Sequence, residues 1–132
     1  MPRLLVALIA LLLLPAAADA ATWQRTTLPQ GAERLVAPVR AAAFAVDRAA
    51  LRAQALRGGA SLPGPDGRLV RFELRDAPVM EPGLARRFPS IRTFAGRAVG
   101  DRATTVRLAV TPLGVHASVR DADGTAWYVE PA

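Results

Sequence analysis

The stretch "TTVRLAVTPLGVHASVRDADGTAWYVEP", residues 104–131, decides the fold. Its apolar residues alternate with polar ones. Val106, Leu108 and Val110 fall on one side of an extended chain, and Val115, Ala117 and Val119 do the same after a turn. Period-two alternation is the mark of a strand with one face buried. "PLG" and "DADG" interrupt it, and Gly124 suits the positive φ of a tight turn. Three strands joined by connections this short must pair antiparallel. Residues 104–131 therefore read as a meander whose valines face a core.

Working upstream, "RLVRFELRD" alternates in the same way, with Val70, Phe72 and Leu74 on one side, and "IRTFAG" reads as a further strand. Before them, "FAVDRAALRAQALRGG" has the spacing of a helix. Asp47 suits the N-cap, because its carboxylate can accept the free N–H groups of the first turn. Leu51, Ala55 and Leu56 share the apolar side, and Gly58 and Gly59 stop the helix. "SLPGPDG" reads as a turn-rich loop. In "APVMEPGLARRFPS", Pro82 suits the first turn of a short helix and Pro89 its end. Met80, Leu84 and Phe88 recur at intervals of four, as core contacts would. The expected fold class is α+β, an antiparallel β-sheet with a C-terminal meander and one or two short helices on one face.

Residues 1–20 are of another kind. Arg3 precedes an apolar run from Leu4 to Leu14, Pro15 breaks it, and Ala18-Asp19-Ala20 fits a small-residue cleavage site. The run is shorter than the ~20 residues a membrane-spanning helix needs, so it reads as a signal peptide cut after Ala20. The expected location is secreted or periplasmic, with no stable membrane span after cleavage. Residues 21–43 lack periodicity and read as a loosely held segment, with a short strand near Glu33–Val36. Trp23 there either anchors the segment or stays exposed. Residues 44–132 form the single expected domain.

The net charge is +6, and all 17 basic residues are arginine. Along the chain they are spaced out and interleaved with acids, which suits a solvated surface. No nucleic-acid motif accompanies them, so no nucleic-acid partner is expected. There is no cysteine, hence no disulfide, thiolate ligand or cysteine nucleophile. The lone histidine, His116, alternates with the inward valines and falls on the opposite face. A hydrolytic zinc site needs about three protein ligands and an open position, and there is no H-E-x-x-H. No G-x-S-x-G surrounds Ser61, Ser90 or Ser118. Asp121 and Asp123 lack the further carboxylates of a calcium loop. The residues point to a protein with no catalytic, metal or cofactor site of its own.

"PDGRLVRFELRDAPVMEPGLARRFPSIRTFAGR" with "TTVRLAVTPLGVHASVRDADGTAWYVEP" resembles the N-terminal prodomain region of bacterial secreted reprolysin-like zinc metalloproteases. "FAVDRAALRAQAL" looks like the helix that precedes this region in the family. The resemblance implies an exported, non-catalytic module that assists folding of a cognate zinc metalloprotease domain or inhibits it. No catalytic residue carries over, since no position matches the zinc motif. Candidate partner contacts are Arg87, Phe88, Pro89, Arg92 and Phe94, at the corner between helix and strand; local packing beside a solvated arginine is the plainer reading of them. Two other readings stand beside this one. One is a free-standing envelope module that meets anionic polymer. The other is a truncated precursor without activity.

Overall fold

In the computed structural model the described residues are 21–28, 30–31 and 40–131. The signal-peptide reading, with Ala18 and Ala20, and the strand expected near Glu33–Val36 lie outside them. The chain orders as β1 (Trp23–Thr26), β2 (Ala43–Val46), α1 (Arg48–Leu56), β3 (Gly59–Pro63), β4 (Leu69–Asp76), α2 (Pro82–Arg87), β5 (Arg92–Ala98), β6 (Asp101–Thr111), β7 (Gly114–Arg120) and β8 (Ala126–Val129). Strands β3 to β8 form one antiparallel sheet in sequence order, and β1 pairs with β2 in a second.

The α+β expectation is overturned. Strand takes 49% of the described residues and helix 17%, and the main sheet is a curled six-stranded half-barrel. Helix α1 packs on β3 and β4, but α2 buries no residue, so it forms no covering layer. The sheet itself supplies most of the enclosure. Phe72 on β4 and Trp127 on β8 have ring centroids 6.4 Å apart. Four strand spacings in a flat sheet would separate them by about 19 Å. The sheet therefore bends toward its apolar side, and its other side is convex.

Register explains the core. Leu74, Gly96, Val106, Val119 and Trp127 lie on one cross-strand row. Phe94, Leu108, Ala117 and Val129 lie on the next. These side chains, with Ala60, Leu62 and Phe72, fill the concave side against Leu51 and Ala55 of α1. Gly96 has no room for a side chain, because a Cβ there would sit 3.1 Å from the Leu74 Cα and 2.8 Å from the Glu73 carbonyl carbon. Its absence of a Cβ lets β4 and β5 close at this point.

Helix α1 begins as its sequence indicates. The Asp47 carboxylate accepts a hydrogen bond from the Ala50 N–H at 2.9 Å. Leu51 and Ala55 are buried and Leu56 is exposed. Gly58 has positive φ, whereas Gly59 already opens β3. "SLP" is thus strand rather than loop, paired with β4 through Ser61↔Arg71 and Leu62↔Val70.

The N-terminal strand is held firmly. Trp23 is only 5% exposed, meets Phe44 edge to face, and donates its indole N–H to the Ser61 carbonyl at 2.8 Å. The Asp47 N–H donates to the Thr22 carbonyl, and Gln54 Nε2 to the Thr22 hydroxyl, both at 2.9 Å. Residues 22–26 therefore belong to the body of the fold. No helix among the described residues is long and apolar enough to cross a membrane.

Candidate functional site: the uncovered face of the sheet

The convex face carries the side chains that alternate with the core. One row runs Arg75, Ala95, Arg107, Ser118, Tyr128. The next runs Glu73, Arg97, Thr105, Arg120, Ala126. A third places Thr93, Ala109 and His116 side by side. Arg75 and Arg107 flank Ala95 from either side, so their backbones are about 10 Å apart, as are those of Arg97 and Arg120 across Thr105. Side chains on adjacent rows meet diagonally. Arginines that are dispersed along the chain are thus gathered by strand pairing.

Two adjoining depressions mark this face. One, of about 330 Å³, is floored by apolar groups and bounded by Val79, Thr93, Ala109, His116, Tyr128 and Glu130. The other, of about 680 Å³, runs between Arg75, Arg97, Arg102, Arg107 and Arg120, with Glu73 at its edge. Arg107 and Ser118 line both, so the two are continuous. Arg97 donates from Nη1 to the Arg102 carbonyl at 2.6 Å, which holds its guanidinium over the strand end. Among the described residues, Arg75, Arg107 and Arg120 make no ion pair.

His116 sits on this face as its alternation indicates. Its Nδ1 lies 2.8 Å from Glu130 Oε2, with both side chains largely in solvent. Among the described residues no group of three or more His, Cys, Asp or Glu could hold a metal ion. Asp121 and Asp123 build the hairpin turn between β7 and β8. The Thr125 N–H donates to Asp123 Oδ1 at 2.9 Å, and Gly124 takes φ +88°. That backbone hydrogen bond from Thr125 also holds the Asp123 carboxyl below its ordinary pKa.

The five candidate contacts at the helix-to-strand corner fare differently. Arg87, Phe88 and Pro89 are exposed, with Phe88 at 45%. Arg92 is half-buried and ion-paired to Asp76 at 3.0 Å. Phe94 is 2% exposed on the concave side and belongs to the core, so no partner can reach it in the folded chain. Glu81 fixes the corner by accepting from the Gly83 and Leu84 N–H groups, and Arg52 donates to the Pro89 carbonyl. The Met80, Leu84, Phe88 trio is not the core stripe that its spacing indicates. Leu84 and Phe88 are exposed, beside Val79 at 72%. No protein-family model, curated protein or solved structure matches the chain.

Proposed function

We propose that this chain is a non-catalytic, exported contact module that holds a zinc metalloprotease domain, as folding assistant or inhibitor. The observation that carries the reading is the bare convex face. Among the described residues, a six-stranded sheet whose concave side is filled keeps its other side without a covering layer, and that side joins an apolar depression to a basic one. Exposed Val79 and Tyr128 line the apolar depression and add apolar contact area. Contiguous apolar surface on a small protein marks interaction sites. The resemblance of residues 66–131 to metalloprotease prodomains supplies the identity of the partner.

The physics of assistance needs no chemistry from this chain. A binder selective for the compact form of a protease domain stabilises that form by mass action, about 2.7 kcal/mol at a concentration 100 times Kd. The rigid sheet suits that task, because little ordering entropy is lost on docking. Inhibition follows from occupancy: strand β8 is an edge of the sheet and can extend a protease's own sheet, or the convex face can cover a cleft. A thiol-based block of zinc is unavailable to a chain without cysteine.

The test is titration of the purified exported chain against a reprolysin-like zinc protease domain, reading peptide hydrolysis and refolding yield. The reading expects saturable inhibition, a higher refolding yield, or both. Neither effect at micromolar excess removes it.

A further inference from the structure

We propose that the basic depression on the convex face recognises an extended acidic segment of a protein, with the neighbouring apolar depression seating an apolar side chain of the same segment. This deepens the reading above, on which it rests for its partner but not for its chemistry.

Charge argues first. Arg75, Arg97, Arg107 and Arg120 surround Ala95 and Gly96, and Glu73 is the one carboxylate among the groups that line the depression. None of these four arginines makes an ion pair among the described residues, although Arg97 donates to the Arg102 carbonyl. Guanidinium groups offer paired N–H donors that match a carboxylate, and such pairs are stronger than neutral hydrogen bonds. Spacing argues next. Arginines on one row are about 10 Å apart, and a segment in the polyproline II conformation, with three residues per turn and a rise of about 3.1 Å each, returns residues i and i+3 to the same side at about 9 Å. A segment lying across β4 to β7 with carboxylates at that interval would meet both arginines of a row.

Continuity separates a peptide from a uniform polyanion. Arg107 and Ser118 belong to both depressions, so the basic ground leads directly to Val79, Ala109 and Tyr128. A uniform polyphosphate has nothing apolar to place there. A polypeptide can present a leucine beside its glutamates.

The experiment uses fluorescence anisotropy with the purified exported chain and a labelled twelve-residue peptide bearing leucine at one end and glutamate at every third position. A matched peptide carries glutamine in place of glutamate. Dextran sulfate serves as a competing polyanion. Four exposed ion pairs, each weak alone, together predict a loss of about tenfold or more in affinity on removing them. The inference expects that loss in two ways: with the glutamine peptide, and with the combined R75Q, R97Q, R107Q and R120Q variant. It also expects weaker binding as salt rises. R57Q with R86Q, exposed arginines outside the depression, should bind as the parent does. Circular dichroism establishes that each variant is folded; if the combined variant is not, single R107Q, which touches both depressions, reports instead.

Equal affinity for the two peptides overturns the inference, as does a folded variant that binds like the parent. Dextran sulfate binding in the absence of peptide binding overturns it in favour of a polymer ligand. The two proposals separate cleanly. Peptide binding without effect on a protease removes the protease reading and keeps this one. Protease inhibition undiminished in the combined variant does the reverse.

Discussion

Replacing Trp23 tests whether the N-terminal strand is part of the folded body. Two variants divide its contributions. Trp23→Phe retains an aromatic ring for the edge-to-face meeting with Phe44 but removes the indole N–H, which donates to the Ser61 carbonyl at 2.8 Å. Ser61 is itself buried, so water cannot freely replace the donor. Leaving a buried acceptor without this donor costs about 1–2 kcal/mol. For a domain of this size that lowers the Tm by roughly 5–10 °C. Trp23→Ala also removes the ring from a site that is 95% covered, and such truncations cost about 3–5 kcal/mol. A typical domain is stable by only ~5–15 kcal/mol, so that is a large fraction of the total. The assay is urea unfolding followed by far-ultraviolet circular dichroism, which does not depend on tryptophan emission. A Trp23→Ala midpoint within about 0.3 kcal/mol of the parent would refute the docking of β1. A Trp23→Phe loss as large as that of Trp23→Ala would refute the separation into ring and hydrogen bond.

Gly96→Val should destabilise the fold by more than the ~1–3 kcal/mol of ordinary overpacking, since the added atoms meet backbone of β4; soluble yield and Tm check it. Asp47→Ala removes the cap of α1 and should cost about 1 kcal/mol by denaturant titration, with Asp47→Ser retaining most of it. The Asp101 carboxyl is held below its ordinary pKa of 3.8, chiefly by the Thr104 hydroxyl, with desolvation next and opposing it, and the Ala103 and Thr104 N–H groups adding smaller lowering effects. A folded pKa below the unfolded one means its stabilisation is present above about pH 4 and is lost as pH falls through the folded value. Stability measured across that range should decline less steeply in Asp101→Asn than in the parent; equal slopes would show that the Thr104 contact does not persist in solution.

Much of the sheet was legible because its signal is local. Alternation in residues 69–76 and 104–120 assigned Val70, Phe72, Leu74 and the valines of β6 and β7 to one face without any knowledge of what they meet. The capped helix at Asp47 was legible for the same reason. Three features were not. "GASLP" is covered at nearly every position, so it shows no alternation, and its proline stands at the strand end where the ladder stops. The spacing of Met80, Leu84 and Phe88 reveals an apolar side of α2 but not whether anything lies against it. That gap, together with the unread β3, β1 and β2, turned a half-barrel into an expected α+β fold. In β5, Gly96 and Ala98 dilute the pattern that would have assigned Phe94 to the core.

The basic depression was illegible for a deeper reason. Arg75, Arg97, Arg107 and Arg120 stand on four different strands, and only the pairing register of those strands brings them together. Read along the chain they are dispersed and interleaved with acids; read across the sheet, Glu73 is the one acid among them. A charge pattern on a β-protein is a two-dimensional property, and linear spacing underestimates it.

In the proposed function the convex face makes the contact. Its most direct measurement is an amide chemical-shift titration of the isotope-labelled chain with an unlabelled zinc metalloprotease domain. The prediction is saturable shifts centred on Arg75, Ala95, Arg97, Arg107, Ser118 and Tyr128, with concave-side residues such as Leu62 and Phe72 unmoved. Shifts confined to the β1–β2 pair or to α1, or no shifts at saturating partner, would contradict it.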